Sequence, residues 1–510
     1  MSLKLNIIVS VATQIYVTLV SFLILPLYLK HMGAESYGLV GFFTMLQAWF
    51  NLLDMGLTPT ITRETARFNG GAIDAISYRR LLRALQCIFF TVAFVGGGVM
   101  LLFSASISSQ WLNVQALSLK EVQLAVQLTA IVVAMRWMSG LYRGCITGFE
   151  QLVWLGGYNT FIATLRFLGA LPVMIWVGNS PQVFFSYQLL VAVIEIMGLA
   201  AKAHSLFPAI PSGQKLGWLP TKLFKPIKPV LKFSLAIAFT SSVWVLVTQV
   251  DKLVLSKLLP LTDYGYFTLA VVAASGVMMV SGPISSALMP HMARIQVEGD
   301  GKSLISLYRN ATRTVAAIAI PLCMVLSIFP EQVLWAWTGD ANAARQAAPI
   351  LRLYALGNGF LTLAAFPYYL QFAKGDLKLH LIGNAIFLGV LVPSLVWATW
   401  FYGAIGAGYA WLGANAIYFF GWLPLVHQRF IKGLHKLWLL HDVGQIALPG
   451  ILIVGVISNI VILPTNRLGI LLWLTLICLI TIFILFARMY NFRNWTINYF
   501  KQITHHDIRY

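Results

Sequence analysis

The sequence predicts an all-α polytopic membrane protein of about fourteen transmembrane helices. Of 510 residues, 59% are hydrophobic and 10% charged, with a mean hydropathy of +0.80. A soluble chain of this length needs far more polar surface. Apolar windows of about 20 residues, enough to cross roughly 30 Å of hydrocarbon as a helix, recur along the whole chain. With the N-terminus inside, most of the 35 Lys and Arg fall in cytoplasmic segments. Only Lys30, Lys120, Lys257, Arg345 and Arg467 lie outside, and Arg136, Arg166, Lys252 and Arg352 lie within spans. That asymmetry is the positive-inside pattern and places both termini in the cytoplasm.

The first span, 8–29, follows Lys4 and is too long for the apolar region of a signal peptide, so it reads as retained. Ser10, Gln14, Thr18 and Ser21 share one of its faces, and Gln47, Asn51, Asp54 and Thr58 repeat the pattern in the second span, 37–58. A bend at Pro26 is expected to help the first helix gate a cavity. Spans 82–104, 122–142 and 153–177 follow, the last two holding Arg136 and Arg166. In 181–201, Glu195 is in line with Gln188 and Lys202, which predicts a local pair to Lys202.

The connection around 202–230 is too short for a folded domain. Its basic run (Lys215, Lys222, Lys225, Lys228 and, just beyond, Lys232) suits topogenesis and attraction to anionic lipid heads. The seventh span, 231–258, carries Ser234, Ser241, Thr248, Lys252 and Ser256 on one stripe. Asp251 and Lys252 are consecutive and so about 100° apart on a helix; each is expected to face a separate partner. Spans 264–290, 311–330, 347–373 (with Arg352), 377–400, 403–427, 443–463 and 468–488 complete the set.

An internal repeat organises these spans. Tyr37-Gly38 recurs as Tyr264-Gly265, 227 positions later, and Ala66-Arg67 recurs at the same offset as Ala293-Arg294. The Phe-Leu-Gly of 167–169 returns at 387–389. An even number of spans per copy leaves both copies in the same orientation, related by a pseudo-two-fold along the membrane normal. The expected organisation is a six-helix bundle over 1–215, a second over 216–430, and two additional helices with a cytoplasmic tail over 431–510. Two facing bundles create a cleft of the kind alternating-access transporters use.

Charges inside spans point to chemistry, because each costs roughly 2.5–3.5 kcal/mol at the bilayer centre on insertion scales. Arg166 aligns with Ile386 in the repeat, and Asp251 and Lys252 with Ile24 and Leu25. Groups present in one half only suit an asymmetric ligand. Arg136, Arg166, Lys252 and Arg352 are therefore candidate anion-binding residues. Asp54, Glu195 and Asp251 either hold these cations or bind H+ or Na+ as a driving ion. Buried pairs such as Arg166 with Glu195, or Lys252 with Asp54, stay open as alternatives. The net charge of +19 is distributed for topology, and no nucleic-acid partner is expected. Cys87, Cys145, Cys323 and Cys478 have unrelated spacings that suit neither disulfides nor a metal. No phosphate-binding nucleotide loop and no paired catalytic carboxylates are present in the loops, which argues against an ATPase or a glycosyltransferase.

The segments LYLKHMGAESYGLVGFF (27–43), FNLLDMGLTPTITRETAR (50–67) and QVDKLVLSKLLPLTDYGYFTLA (249–270) resemble the polysaccharide transporter family. These are the O-antigen-type flippases, in one superfamily with the multidrug and toxin extrusion proteins. Leu53, Asp54, Met55 and Gly56 match one family element and Asp251 leads another. The resemblance implies the multidrug-and-toxin-extrusion-like fold and a transporter rather than an enzyme. Its implied cargo is an undecaprenyl-pyrophosphate-linked oligosaccharide, a repeat unit of O-antigen in lipopolysaccharide or of exopolysaccharide. That cargo would move from the cytoplasmic to the periplasmic leaflet of the bacterial inner membrane by ion-coupled alternating access, among membrane lipids, a polymerase and a chain-length regulator. No cofactor beyond H+ or Na+ is implied. A multidrug exporter and a peptidoglycan-precursor flippase of the same superfamily are the alternatives, with a membrane glycosyltransferase or polymerase further off.

Overall fold

The computed structural model describes residues 3–209, 228–460 and 464–489. Among them the regular elements are all helical, and ten helices are long and apolar enough to cross a membrane. In chain order the main helices, these ten among them, are α1 (Leu3–Phe50), α2 (Leu57–Asn69), α3 (Ala75–Leu102), α4 (Leu119–Gly148), α5 (Leu152–Trp176), α6 (Pro181–Leu206), α7 (Lys228–Leu258), α8 (Leu261–Met279) and α9 (Ser281–Glu298). There follow α10 (Gly301–Ile328), α11 (Pro330–Thr338), α12 (Ala341–Ala373), α13 (Lys378–Phe430), α14 (Leu434–Ile460) and α15 (Arg467–Arg488). Local chemistry sets many of the starts. Asp74, Ser180, Asp300, Asp340 and Asn466 each accept a backbone N–H of the helix they open, and Ser118 with Glu121 forms a reciprocal capping box on α4.

Two expectations are corrected. The first two spans are two helices within the stretch α1, as expected, but the chain turns between them at Gly33 (φ 80°, ψ 166°) rather than at Pro26, which sits within helical backbone. Only glycine reaches that conformation without a Cβ clash, whereas a membrane helix absorbs a proline. The second span does not continue through Asp54. After Phe50 a 3-10 turn (Asn51–Asp54) leads to left-handed Met55 (φ 44°) and Gly56 (φ 70°), so Asp54 and Thr58 leave the face that holds Gln47. Asp54 instead accepts from the Thr58 N–H at 3.2 Å and the Thr58 hydroxyl at 2.6 Å, capping α2. The expected span 264–290 falls on α8 and α9, which adjoin at Val280 with helical backbone (φ −61°, ψ −37°).

The chain divides into two compact units, Met1–Thr268 and Leu269–Tyr510. In the first, α4 is central, packing against α2, α3 and α6, while α1 lies against α5 and α7. In the second, α12 packs on α10, α11 and α13, and α10 carries α14 and α15. Asp442, fully buried, receives Arg309 (Nε 2.7 Å, Nη2 3.0 Å) and Arg313 (Nε 2.6 Å). The Trp438 indole donates to Thr312 at 3.1 Å. Toward the other end of α10, Val325 and Phe329 form an apolar cluster with Val454, Ile470 and Leu474.

The repeated Tyr-Gly pairs meet inside the first unit. A Cβ on Gly38 would strike the Leu261 carbonyl, one on Gly265 the Ala34 carbonyl, and one on Gly41 would lie 2.7 Å from Thr268 Cγ2. Small residues let these backbones approach. Leu261 N–H donates to Asn113 O at 2.9 Å, and Trp111 Nε1 to Ser256 Oγ at 2.9 Å. The buried Glu35 carboxylate accepts the N–H groups of Gln115, Ala116 and Leu117 at 2.6–3.1 Å.

Gly38→Val or Gly265→Val should therefore destabilise the protein by about 1–3 kcal/mol through overpacking, seen as a lower unfolding temperature in detergent. Gly276→Ala, where a Cβ meets open space, should not lower it; equal behaviour of all three would refute the close contact. Asp54→Ala should cost about 1 kcal/mol as a lost helix cap, and Asp54→Asn much less, in the same measurement.

Candidate functional site

Three consecutive helices of the first unit each present two polar residues seven positions apart: Arg136 and Arg143 on α4, Asn159 and Arg166 on α5, Gln188 and Glu195 on α6. Seven residues are close to two helical turns, so each pair shares a face with about 10 Å between its members. The chain alternates direction between these helices. That brings Arg143, Asn159 and Glu195 together at one level and Arg136, Arg166 and Gln188 together at the next.

At the first level the Arg143 guanidinium donates through Nη1 to Asn159 Oδ1 and through Nη2 to Glu195 Oε1. At the second, Arg136 Nη2 donates to Gln188 Oε1 at 2.9 Å, and Gln188 Nε2 donates on to the Arg166 carbonyl at 3.0 Å. That carbonyl is available because a π-turn over Thr164–Leu168 loosens the helical ladder; Tyr28 donates to Phe167 O at 2.7 Å and Tyr187 to Leu165 O at 2.8 Å in the same turn. Arg166 Nη2 reaches Gln47 Oε1 of α1 at 3.0 Å. The levels are joined by Arg136 Nε, 3.6 Å from Glu195 Oε2.

Among the described residues, three guanidiniums thus face one carboxylate and leave two positive charges in surplus. Arg136 is also incompletely used. It is buried, its Nε and Nη1 have no hydrogen-bond acceptor, and Glu195 Oε2 has no donor. Orphaned donors on a buried cation are costly unless something else meets them. Beside the cluster is a cavity of about 260 Å³ lined by Thr13, Gln14, Val17, Arg143, Asn159, Arg166, Phe167 and Glu195. An anion with several oxygens, attached to a polar group, has the right chemistry for it.

The other expected residues lie elsewhere. Lys252 Nζ sits 3.3 Å from Asp251 Oδ1 and donates to Thr248 O at 2.7 Å, so the consecutive pair does join, contrary to expectation. The four-carbon lysine stem curls back along the helix and overrides the 100° offset. Neither Lys252 nor Asp54 meets the other in a salt bridge, and Asp54 is held as a cap. Glu195 does not pair with Lys202, whose ammonium lies over the Trp154 ring at 5.6 Å. Arg352 belongs to the second unit, where its Nε donates to Ser327 O at 3.0 Å. Lys215, Lys222, Lys225, the side chains of Lys228, Lys232, Ser234 and Ser241, and the tail with His505 and His506 lie outside the described residues. Arg143 escaped the sequence reading because the apolar window closed at 142; the seven-residue spacing from Arg136 was the available signal.

Residues 3–296 match the family described as polysaccharide biosynthesis protein. Over 400 residues (77% of this chain, 90% of the other) the chain is 20% identical to a Shigella flexneri protein named as a candidate O-antigen transporter. It is similar in structure to the lipid II flippase MurJ in an inward closed conformation, with TM-score 0.72, 13% identity, and 96% and 99% of the two chains covered. It is also similar to a multidrug resistance MATE family transporter of the MOP superfamily, inward-facing, with TM-score 0.66, 14% identity, and 81% and 94% covered. At these identities the structural likeness shows a common fold.

Because Glu195 is the sole carboxylate in the cluster, Glu195→Ala should leave buried guanidiniums uncompensated. The expected cost is about 3–5 kcal/mol, a marked fall in unfolding temperature. Arg143→Ala, on a partly exposed side chain, should cost much less. The reverse order would show that Glu195 is not the keystone of this arrangement.

Proposed function

The chain belongs to the polysaccharide biosynthesis protein family, and from that membership we propose that it is a flippase for an undecaprenyl-pyrophosphate-linked oligosaccharide. The repeat unit of an O-antigen or exopolysaccharide is the proposed sugar. The observation that carries this reading is the surplus of guanidinium over carboxylate beside a polar-walled cavity within apolar helices. A pyrophosphate offers several oxygens in the geometry that planar guanidiniums bind bidentately. In this reading Arg143 meets it first and Arg136 and Arg166 take it about 10 Å deeper along α4 and α5. Thr13, Gln14 and Asn159 face the sugar, and the polyprenyl chain stays in hydrocarbon. Lys252 is proposed as a further contact.

Glu195 is the proposed coupling group. Proton binding there would release Arg143 and Arg136 to grip the anion, and proton loss would return them to the carboxylate and let the anion go; Na+ would act in the same sense. Asp54 as a cap and Asp251 beside Lys252 suit supporting roles. The basic segments favour a multi-pass protein of the bacterial inner membrane with both termini cytoplasmic. The cargo it delivers would be consumed by a polymerase working with a chain-length regulator. The positive surplus disfavours export of cationic drugs. A peptidoglycan-precursor flippase would need the same pyrophosphate contacts, so cargo competition distinguishes it.

The test uses inside-out vesicles supplied with undecaprenyl-pyrophosphate oligosaccharide, following its protection from added glycosidase. Protein-dependent protection is expected, slowed at least tenfold by Arg143→Ala or Arg166→Ala and abolished by a protonophore if the ion is H+. Wild-type rates in both variants would overturn the anion-site reading. Stronger competition by a peptidoglycan precursor than by the oligosaccharide itself would move the assignment to that cargo.

A further inference from the structure

The second unit holds another cavity, of about 340 Å³, at the Ile328 end of α10. Arg309 and Arg313 stand at the opposite, basic end of the same helix. Its lining combines two arginines, Arg345 and Arg352, and one carboxylate, Glu331, with the apolar walls Ile328, Leu353 and Ile405. Arg352, itself exposed, donates its Nε to the Ser327 carbonyl (3.0 Å), and among the described residues its two terminal nitrogens make no hydrogen bond. Arg345 and Glu331 are 3.9 Å apart and both largely exposed, at 73% and 53% of the side chain, a pair worth little in water. The lining therefore carries one net positive charge and unengaged guanidinium N–H groups.

The surroundings fix the height of this cavity. Trp397, Trp400, Phe401 and Tyr402 are 58–80% exposed on α13, clustered at its Gly403 break (φ 58°), and the cavity residues Ile405 and Tyr409 follow at once. Exposed Trp and Tyr collect where headgroups meet hydrocarbon. A cavity lined by two accessible arginines and apolar side chains at that height matches a phosphate joined to acyl chains.

We propose that the Arg345–Arg352 cavity binds the phosphodiester headgroup of an anionic phospholipid, a site separate from the Arg136–Arg143–Arg166 cluster. One net positive charge matches the single negative charge of a phosphodiester, where a pyrophosphate would carry more than the cavity offsets. Arg352 takes the phosphate through its terminal nitrogens, Arg345 covers it from the water side, and Leu353, Ile328 and Ile405 take the first methylenes of the chains. The proposal does not depend on the cargo: a resident lipid here would hold α10, α12 and α13 together whatever is transported.

The experiment is native mass spectrometry of the full-length protein released from detergent, titrated with phosphatidylglycerol or phosphatidylcholine, with unfolding temperature as a second readout. Wild type should retain one phosphatidylglycerol more than Arg345→Ala/Arg352→Ala, bind it at least tenfold more tightly than phosphatidylcholine, and gain thermal stability from it. If the double variant does not fold, Arg345→Glu, altering an exposed side chain, should weaken phosphatidylglycerol by about tenfold. Equal retention by wild type and the folded variant would overturn the proposal. So would displacement of the lipid by millimolar inorganic phosphate with equal stabilisation, which would assign the cavity to a free oxyanion. Preference for undecaprenyl pyrophosphate over phosphatidylglycerol would overturn it too, by making the cavity part of the cargo path.

Discussion

Ionised side chains within hydrocarbon persist only where another group shares their field. In the first unit Glu195 is that group. From α6 it meets Arg143 directly and Arg136 at 3.6 Å, so one carboxylate lets α4 keep two guanidiniums inside the bundle. Gln188, one face-repeat away, extends the arrangement to α5 by accepting from Arg136 and donating to the loosened Arg166 carbonyl. The opened turn at Thr164–Leu168, the seven-residue spacing on three helices and the polar wall of the adjoining cavity all converge on that local balance. It is deliberately incomplete in one sense: charge is offset in part, and donors remain.

A second arginine–carboxylate cluster shows by contrast what completeness looks like. Asp442 takes three charge-assisted hydrogen bonds from Arg309 and Arg313, and neither arginine has an orphaned buried nitrogen. Trp438 donates to Thr312 beside it, and an apolar cluster around Val454 joins the same two helices farther along. A satisfied network of this kind docks α14 onto α10. The orphaned donors of Arg136 describe a different physical state, a buried cation whose hydrogen bonds are only partly met.

The same economy governs the backbone. In a membrane every N–H and C=O needs a partner, so the chain interrupts its helices only where a substitute is ready. Asp54 replaces the lost ladder at the start of α2, Tyr28 and Tyr187 occupy the carbonyls freed at the π-turn, and Glu35 gathers three N–H groups of the 115–117 segment. Where helices press closest, at Gly38 and Gly265, the side chain itself is dispensed with.

The all-helical membrane class, the positions of most spans and the candidates Arg136, Arg166 and Glu195 were legible in the sequence. Apolar length and rare intramembrane charge are local properties, and each can be read one helix at a time. Family membership was legible for the same reason, in short ordered segments such as 27–43 and 50–67. The partners of each charge were not. Whether Glu195 meets Lys202 or Arg143, whether Lys252 curls to Asp251, and whether Asp54 lines a face or caps a helix depend on rotation, on breaks at Gly33 and Gly56, and on which helices become neighbours. Sequence alone determined that this chain keeps cations in a membrane. The tertiary structure decided which two of them share one carboxylate and which third sits beside them, because Coulomb energy follows distance in space and not separation along the chain.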